Sequence, residues 1–168
     1  MGIFGLLVGW GLTQRWSEPR DLAMVGVYVA ALVLLLATDL DQRILPDVVT
    51  LPMIPAALVI LIAGWDPLLA DKPLGVASGL VAGVGFPLLL AVGSAVFRGG
   101  LGLGDVKLLV SVGLFSGITA LFRGLLFASL GFGLVLVVLL AVRRVALRSY
   151  VPFGPVIVVA AAIAALAP

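Results

Sequence analysis

Apolar residues fall along this chain in long blocks, separated by short clusters of charge, proline and glycine. A helix needs about 20 apolar residues to cross the roughly 30 Å hydrocarbon core of a bilayer. Met1–Leu12 is apolar but short, well under that thickness at about 1.5 Å per residue. It lacks the basic start and small-residue cleavage site of a signal peptide. It reads as a short, peripheral membrane helix, with the tail of a spanning helix and a late start codon as the other readings. Thr13–Asp21 is polar and reads as a loop, with Pro19 and Asp21 suited to opening a helix. Leu22–Thr38 is the first convincing span.

The segment Thr38-Asp39-Leu40-Asp41-Gln42-Arg43-Ile44-Leu45-Pro46-Asp47 follows as a loop with three carboxylates. Val48–Trp65 is the next span, with a kink expected at Pro52 and Pro55 near its entrance. Asp66, Asp71 and Lys72 make a polar turn. Pro73–Phe97 is the longest uncharged run. Its Gly75, Gly79 and Gly83 share one helix face at four-residue spacing, which suits close packing of two helix backbones. Arg98–Lys107 is polar and glycine-rich. Leu108–Phe122 crosses again, Gly124–Val142 returns, and Arg143, Arg144 and Arg148 form a basic loop. Val151–Ala167 is the last span, entered through Val151-Pro152-Phe153-Gly154-Pro155. The prediction is an all-α, polytopic transmembrane bundle of about six full spans plus the short N-terminal segment. It forms one unit over residues 1–168, with 1–20 as segment and loop and 22–168 as core. No repeat or low-complexity linker interrupts it.

Composition agrees with the pattern and narrows the chemistry. Of 168 residues, 63% are hydrophobic and only 11% charged, against about 25% charged in soluble domains. Mean hydropathy is +1.34. There is no cysteine and no histidine, which removes disulfides, thiolate and imidazole metal sites, and hydrolases built on a cysteine nucleophile or a histidine base. The formal charge of +2 is too small to suggest nucleic acid. Acid–base work falls to the eight acidic residues.

Counting passes places those acids. Asp39, Asp105 and the 143–148 loop come to one membrane face, with Arg43, Arg98, Lys107, Arg143, Arg144 and Arg148. The other face carries Arg15, Arg20, Lys72 and Arg123. Six cations against four put the first face in the cytoplasm. Asp39 closes one span and Asp105 opens another, and a carboxylate at the edge of lipid is costly enough to read as functional. Asp41 lies about 200° around the helix from Asp39 and reads as solvated. Asp47, after Pro46, reads as an N-cap. Glu18, Asp21, Asp66 and Asp71 read as loop residues of the far face. Lys107 either snorkels beside Asp105 or holds a lipid phosphate. Gly100, Gly102 and Gly104 alternate before Asp105, giving the backbone access to conformations closed to other residues. They are not a dinucleotide fingerprint, since no strand precedes them and the spacing is wrong.

Two carboxylates at one face cannot both ionise easily, so one holds its proton. The ionised partner can take a proton from water while the other donates to a peptide carbonyl, as in aspartic proteases. The same pair could bind a cation or relay protons, and spacing alone does not choose. Two carboxylates without histidine or cysteine make a poor transition-metal site, so no metal or cofactor is expected.

Here the sequence resembles a known family. Gly102-Leu103-Gly104-Asp105 is similar to the Gly-x-Gly-Asp motif of membrane aspartic peptidases. Asp39 through Asp47 resembles the Asp-x5-(Ile/Leu)-Pro-(Asn/Asp) segment of type IV prepilin leader peptidases. Gly104-Asp105-Val106-Lys107-Leu108 and Pro152-Phe153-Gly154-Pro155 match that family's pattern in the same order. The resemblance runs from about Leu22 to near the C-terminus. It implies catalytic roles for Asp39 and Asp105, with Gly102, Gly104, Lys107, Pro46, Asp47, Pro152 and Gly154 binding substrate or supporting the site. It also implies removal of a short basic leader from prepilins or pseudopilins at the cytoplasmic face of the inner membrane. The cut commonly falls after a glycine that precedes the pilin's hydrophobic helix. Long members carry an N-terminal region with paired Cys-x-x-Cys motifs associated with N-methylation. This chain has no cysteine and resembles a short form or the peptidase core, so methyltransferase activity is not expected. The reading from a different class is a carboxylate-based cation or proton transporter, which the nearly charge-free spans argue against. A third, an inactive structural subunit, sits badly with an intact pair of acids.

Overall fold

The computed structural model describes residues 2–42, 46–69, 74–96, 102–142 and 154–166, apart from the side chains of 2–4, 40–42 and 139. Every regular element among them is helical: α1 (Gly2–Arg15), α2 (Pro19–Gln42), α3 (Asp47–Ile62), α4 (Gly75–Leu80), a π-helical turn (Val81–Gly85), α5 (Phe86–Val96), α6 (Leu103–Ala141) and α7 (Gly154–Leu166). The all-α expectation holds. The loop expected over Thr13–Asp21 shrinks to a few residues, because Pro19 opens α2, a position where its missing N–H costs nothing. At the other end α2 runs on past Thr38, so Asp39 sits in a helix rather than in a loop.

The expectation of about six full spans is not met. Among the described residues, three helical stretches are long and apolar enough to cross a membrane: Pro19–Asp39, Gly75–Val96 and Leu103–Val138. α3 and α7 are apolar but short, rising only about 24 and 20 Å at 1.5 Å per residue. The turn expected at Arg123 is also misplaced. Within α6 the backbone leaves helical geometry at Gly117, at φ 68° and ψ 179°. That conformation is essentially closed to residues with a Cβ.

The contacts of α7 define what happens there. Asp105 approaches Gly154, while Gly124 abuts Ala160. The step from 154 to 160 rises only about 9 Å, whereas a straight helix from 105 to 124 would rise about 28 Å. A chain that runs to Gly117 and returns has a net rise of about 8 Å over the same stretch. The second limb of α6, residues 118–141, therefore folds back along the first, 103–116. The α4–α5 stretch packs against both limbs. Gly79 and Gly83 approach Leu114 on the first. The Ser78 hydroxyl accepts the Ile118 N–H at 2.9 Å, and Phe86 meets Phe122 at 4.9 Å on the second.

Close approach through small residues is as expected for Gly79 and Gly83, and Gly113 returns it by facing the backbone of Ala82 and Gly83. The wider π turn at Val81–Gly85 lies at that contact, as such bulges often do where a helix must re-aim. α3 continues as helix through Pro52 and Pro55. The core sits where α2, α3, α6 and α7 converge: Leu32, Leu35, Leu61, Leu108, Leu109, Val112, Phe115 and Ile157 are all almost fully buried. Tyr28 stacks on Phe115 there at 4.1 Å. α1 is peripheral, with Val8 and Leu12 buried and Leu6, Leu7 and Trp10 exposed. Trp16 closes the bundle by donating its indole N–H to the Ala165 carbonyl at 3.1 Å.

Gly117→Ala tests the reversal. A methyl there would stand 2.7 Å from Leu69 Cδ2 and 2.8 Å from Ser78 Oγ, on top of a backbone strain of about 1–3 kcal/mol. The variant should unfold at a clearly lower temperature in detergent, with unchanged helix content by far-UV circular dichroism. Gly93→Ala, which meets nothing nearby, should leave the midpoint unmoved.

Candidate active site

Three helix ends meet at one point of the bundle. α2 arrives with Asp39 in its last turn, α6 departs with Asp105 in its first, and α7 begins at Gly154. A Cβ built on Gly154 would lie 2.9 Å from Asp39 Oδ2 and 3.4 Å from Asp105 Oδ1. The two carboxylate oxygens are thus no further apart than those two distances laid end to end. Asp39 and Asp105 are 66 residues apart in sequence, and the fold brings both to the same bare stretch of backbone.

Their environments differ. Asp39 is only 8% exposed, and its Oδ2 is buried with no hydrogen-bond partner. An unpaired carboxylate oxygen out of water is expensive to maintain, so the rest of the fold holds it there at a cost. Asp105 is partly buried and sits in the first turn of α6, where the helix dipole favours a negative charge. Gly102 is the N-cap residue, in ordinary extended geometry at φ −68° and ψ 141°, and a Cβ on it would meet Asp105 Oδ2 at 3.5 Å, an ordinary contact. Gly104 lies inside the helix and is partly buried. The special backbone freedom expected of these two glycines is therefore not used. Among the described residues only Gly64 and Gly117 have positive φ.

Two more expectations are corrected by tertiary contacts. Asp47 does not cap α3; Pro46 holds that position, with no side-chain cap. Its carbonyl instead accepts the Val49 and Thr50 N–H groups at 3.0 and 3.2 Å. Asp47 is paired with Lys107 across 2.8 Å, so Lys107 neither snorkels to lipid nor stands beside Asp105 alone. The pair clips the start of α3 to the start of α6, two residues beyond Asp105. With 33% and 59% of the side chains exposed, it contributes at most about 1 kcal/mol. Asp66, expected as a loop residue, lies outside the helices, is 1% exposed and accepts the Leu68 N–H at 2.9 Å. Pro152, the side chain of Asp41, and Asp71 lie outside the described residues.

Asp39 and Asp105 supply oxygen donors. No His, Cys, Asp or Glu joins them as a third ligand among the described residues. What the arrangement can do is hold a proton between two acids that both lie against the bare backbone of Gly154. Sequence reasoning named Gly154 only by its motif. Its role as the spacer between the acids left no local signal, because it depends on where α7 docks.

Fold and site together define an all-helical membrane protein with two converging carboxylates at its helix ends. The chain belongs to the type IV leader peptidase family, whose model matches residues 26–167. Similar proteins include the prepilin leader peptidase/N-methyltransferase of Aeromonas salmonicida (strain A449), 33% identical over 98% of this chain and 54% of the relative. The protein of the same name from Pseudomonas putida is 36% identical over 98% of the chain and 55% of its own length. That of Neisseria gonorrhoeae is 35% identical over 94% and 51%. The chain spans about half the length of these curated relatives. No solved structure matches it. The resemblance read from the Asp39–Asp47 and Gly102–Leu108 segments is upheld.

Gly154→Ala should separate geometry from stability. Its methyl would press on Asp39 Oδ2 at 2.9 Å and Cγ at 3.2 Å. Misplacing a reacting group by about 1 Å can cost about a hundredfold in rate, so turnover should fall by that order while the unfolding midpoint moves little. Rates within a factor of two of the parent would show that the space above Gly154 is not where reaction occurs.

Proposed function

We propose that this protein is a membrane aspartic endopeptidase that removes the short basic leader from type IV prepilins or pseudopilins. The observation that carries the reading is the convergence of Asp39 and Asp105 on the bare backbone of Gly154, in a chain of the leader peptidase family. The relatives' second named activity, N-methylation, is not carried over to this chain.

In the proposed reaction the two carboxylates share one proton. The ionised member takes a proton from a water molecule, whose oxygen adds to the carbonyl carbon of the scissile peptide. The protonated member gives its proton to the carbonyl oxygen. The tetrahedral intermediate collapses by breaking the C–N bond, and the amine leaves with the proton first taken from water. As the carbonyl re-forms, the remaining hydroxyl of the intermediate returns its proton to the second acid, so each acid ends in its own starting state. Gly154 leaves room for water and peptide between the acids. Pro46, Asp47 and Lys107 fix the beginnings of α3 and α6, and Gly102 and Gly104 bring α6's first turn to the pair. Pro152 belongs to the same supporting group by its motif.

The position of the pair suits this substrate. Asp39 ends a spanning stretch and Asp105 begins one, so the acids lie at the rim of the apolar layer. A leader that ends just before a hydrophobic helix places its scissile bond at that depth. The cations expected beside the acids along the sequence favour the cytoplasm for that rim.

Cleavage of a prepilin in membranes containing this chain is the decisive assay. Asp39→Asn and Asp105→Asn should each abolish nearly all cleavage while inserting normally. The double variant should lose no more than either single one, because the two acids act as a unit. Asp47→Asn should remain active and lose no more than about 1 kcal/mol of stability. An Asp105→Asn protein that still cleaves at the parent rate would overturn the mechanism.

Orientation is tested separately. Cysteines placed at Gln42 and Ser149 should be shielded from an impermeant thiol reagent in intact cells, and one at Lys72 should be labelled. The opposite pattern would put the acids on the other face.

A further inference from the structure

Arg123 is the one charged residue on the second limb of α6 among the described residues, and its position is unusual. It lies six residues past the reversal at Gly117, about 9 Å back along the helix from that end and about 9 Å in depth from Asp105. Its Nε is buried and has no hydrogen-bond partner. No carboxylate pairs with it, the Lys107–Asp47 pair being the salt bridge found among the described residues. A cation held in an apolar layer without a counter-charge is costly, and such residues normally have a partner there.

The partner's place is open. Arg123 lines a groove of about 700 Å³ along α6, together with Phe86, Phe122, Leu126, Phe127 and Ser129. Phe122, Leu126 and Phe127 are all about half exposed, beside Phe86 of α5, which packs on Phe122. The groove is almost wholly apolar and faces outward from the bundle, so acyl chains surround it in a bilayer. Its one charge is positive. An acid from another protein helix would have to be brought to this depth at its own desolvation cost, whereas a phospholipid carries its phosphate and its tail as one molecule.

We infer that this groove is a binding site for an anionic phospholipid, the headgroup phosphate on the Arg123 guanidinium and an acyl chain along Phe86, Phe122 and Phe127. Basic pockets between membrane helices hold lipid headgroups by this same pairing of charge with apolar lining, and the long arginine side chain reaches towards the interface while its stem stays in the groove. The net negative headgroup is favoured over a zwitterionic one because no acid among the described lining residues balances the guanidinium. Binding would tie α5 to the second limb of α6, the contact now made by the Phe86–Phe122 pair. The site is separate from the acids, and its test does not depend on peptidase activity.

Native mass spectrometry of the purified chain, after equilibration with equal amounts of phosphatidylglycerol and phosphatidylcholine, reads the site directly. The parent should retain phosphatidylglycerol in preference by about fivefold, and its unfolding midpoint should rise with added phosphatidylglycerol. Arg123→Gln should lose both the preference and the rise. Leu126→Trp keeps the charge, fills the groove and should lower retention of either lipid; it decides the matter if Arg123→Gln does not fold. Equal retention of the two lipids by the parent, an undiminished preference in Arg123→Gln, or full retention in Leu126→Trp would overturn the site.

Discussion

The close contact at Gly154 is the constraint on which the rest of the structure depends. Two carboxylates can be held together in an apolar surround only if something rigid fixes both, because mutual repulsion and lost hydration each push them apart. The helices that fix them do so from their ends: α2 by its last turn and α6 by its first. α7 then has to dock with its first residue between them, and only a residue without a side chain leaves both acids in place. Nearly all of α7 is buried, so its position is set by packing along its whole length rather than at the site itself. Moving α2 or α6 by one residue would turn its acid away from the other.

That demand explains why short helices are useful here. α3 and α7 are too short to cross the apolar layer in full, yet both begin at the level of the acids. Their missing length falls at the opposite end, where Asp66 caps its own loop, Arg20 lies over Trp65 and α6 reverses at Gly117. The end carrying the acids is the one at which α2, α3, α6 and α7 all have a turn. Depth is thus matched at the pair of acids and left uneven elsewhere. The Asp47–Lys107 bridge belongs to the same end. Its exposed charges add little stability, but they tie α3 to the turn of α6 that carries Asp105.

Much of this was legible in the sequence, for identifiable reasons. Asp39 and Asp105 stood out because a carboxylate that interrupts a long apolar run has no cheap alternative role. Helical class followed from the length and apolarity of the runs. What failed were judgements about turns and partners. Arg123 drew the expected reversal because charge usually marks a loop, whereas the chain reverses at Gly117, between Ser116 and Thr119, where the signal is conformational and weaker. Asp47 and Lys107 were each given a local role, cap and lipid contact, because their pairing spans 60 residues and leaves no periodic trace. The span count failed because an apolar run reveals that a segment is buried or in lipid, not how far it rises.

The two sites of unusual charge also follow one rule about depth. Aspartate has a short side chain and cannot reach the interface from within an apolar layer, so an acid at that level must be sheltered by protein. Asp39 is sheltered, by the docking of α7. Arginine has a long side chain and can project along a groove to a polar group several ångströms away. Arg123 therefore needs no protein partner, and none is found among the described residues. The acids consequently sit at a crowded convergence of helix ends, and the cation on an open, lipid-facing face. Exchanging the two positions would leave a carboxylate bare in the acyl layer and crowd a guanidinium against Gly154, where there is no room for one. The sign of each charge and the architecture around it are matched by side-chain reach alone.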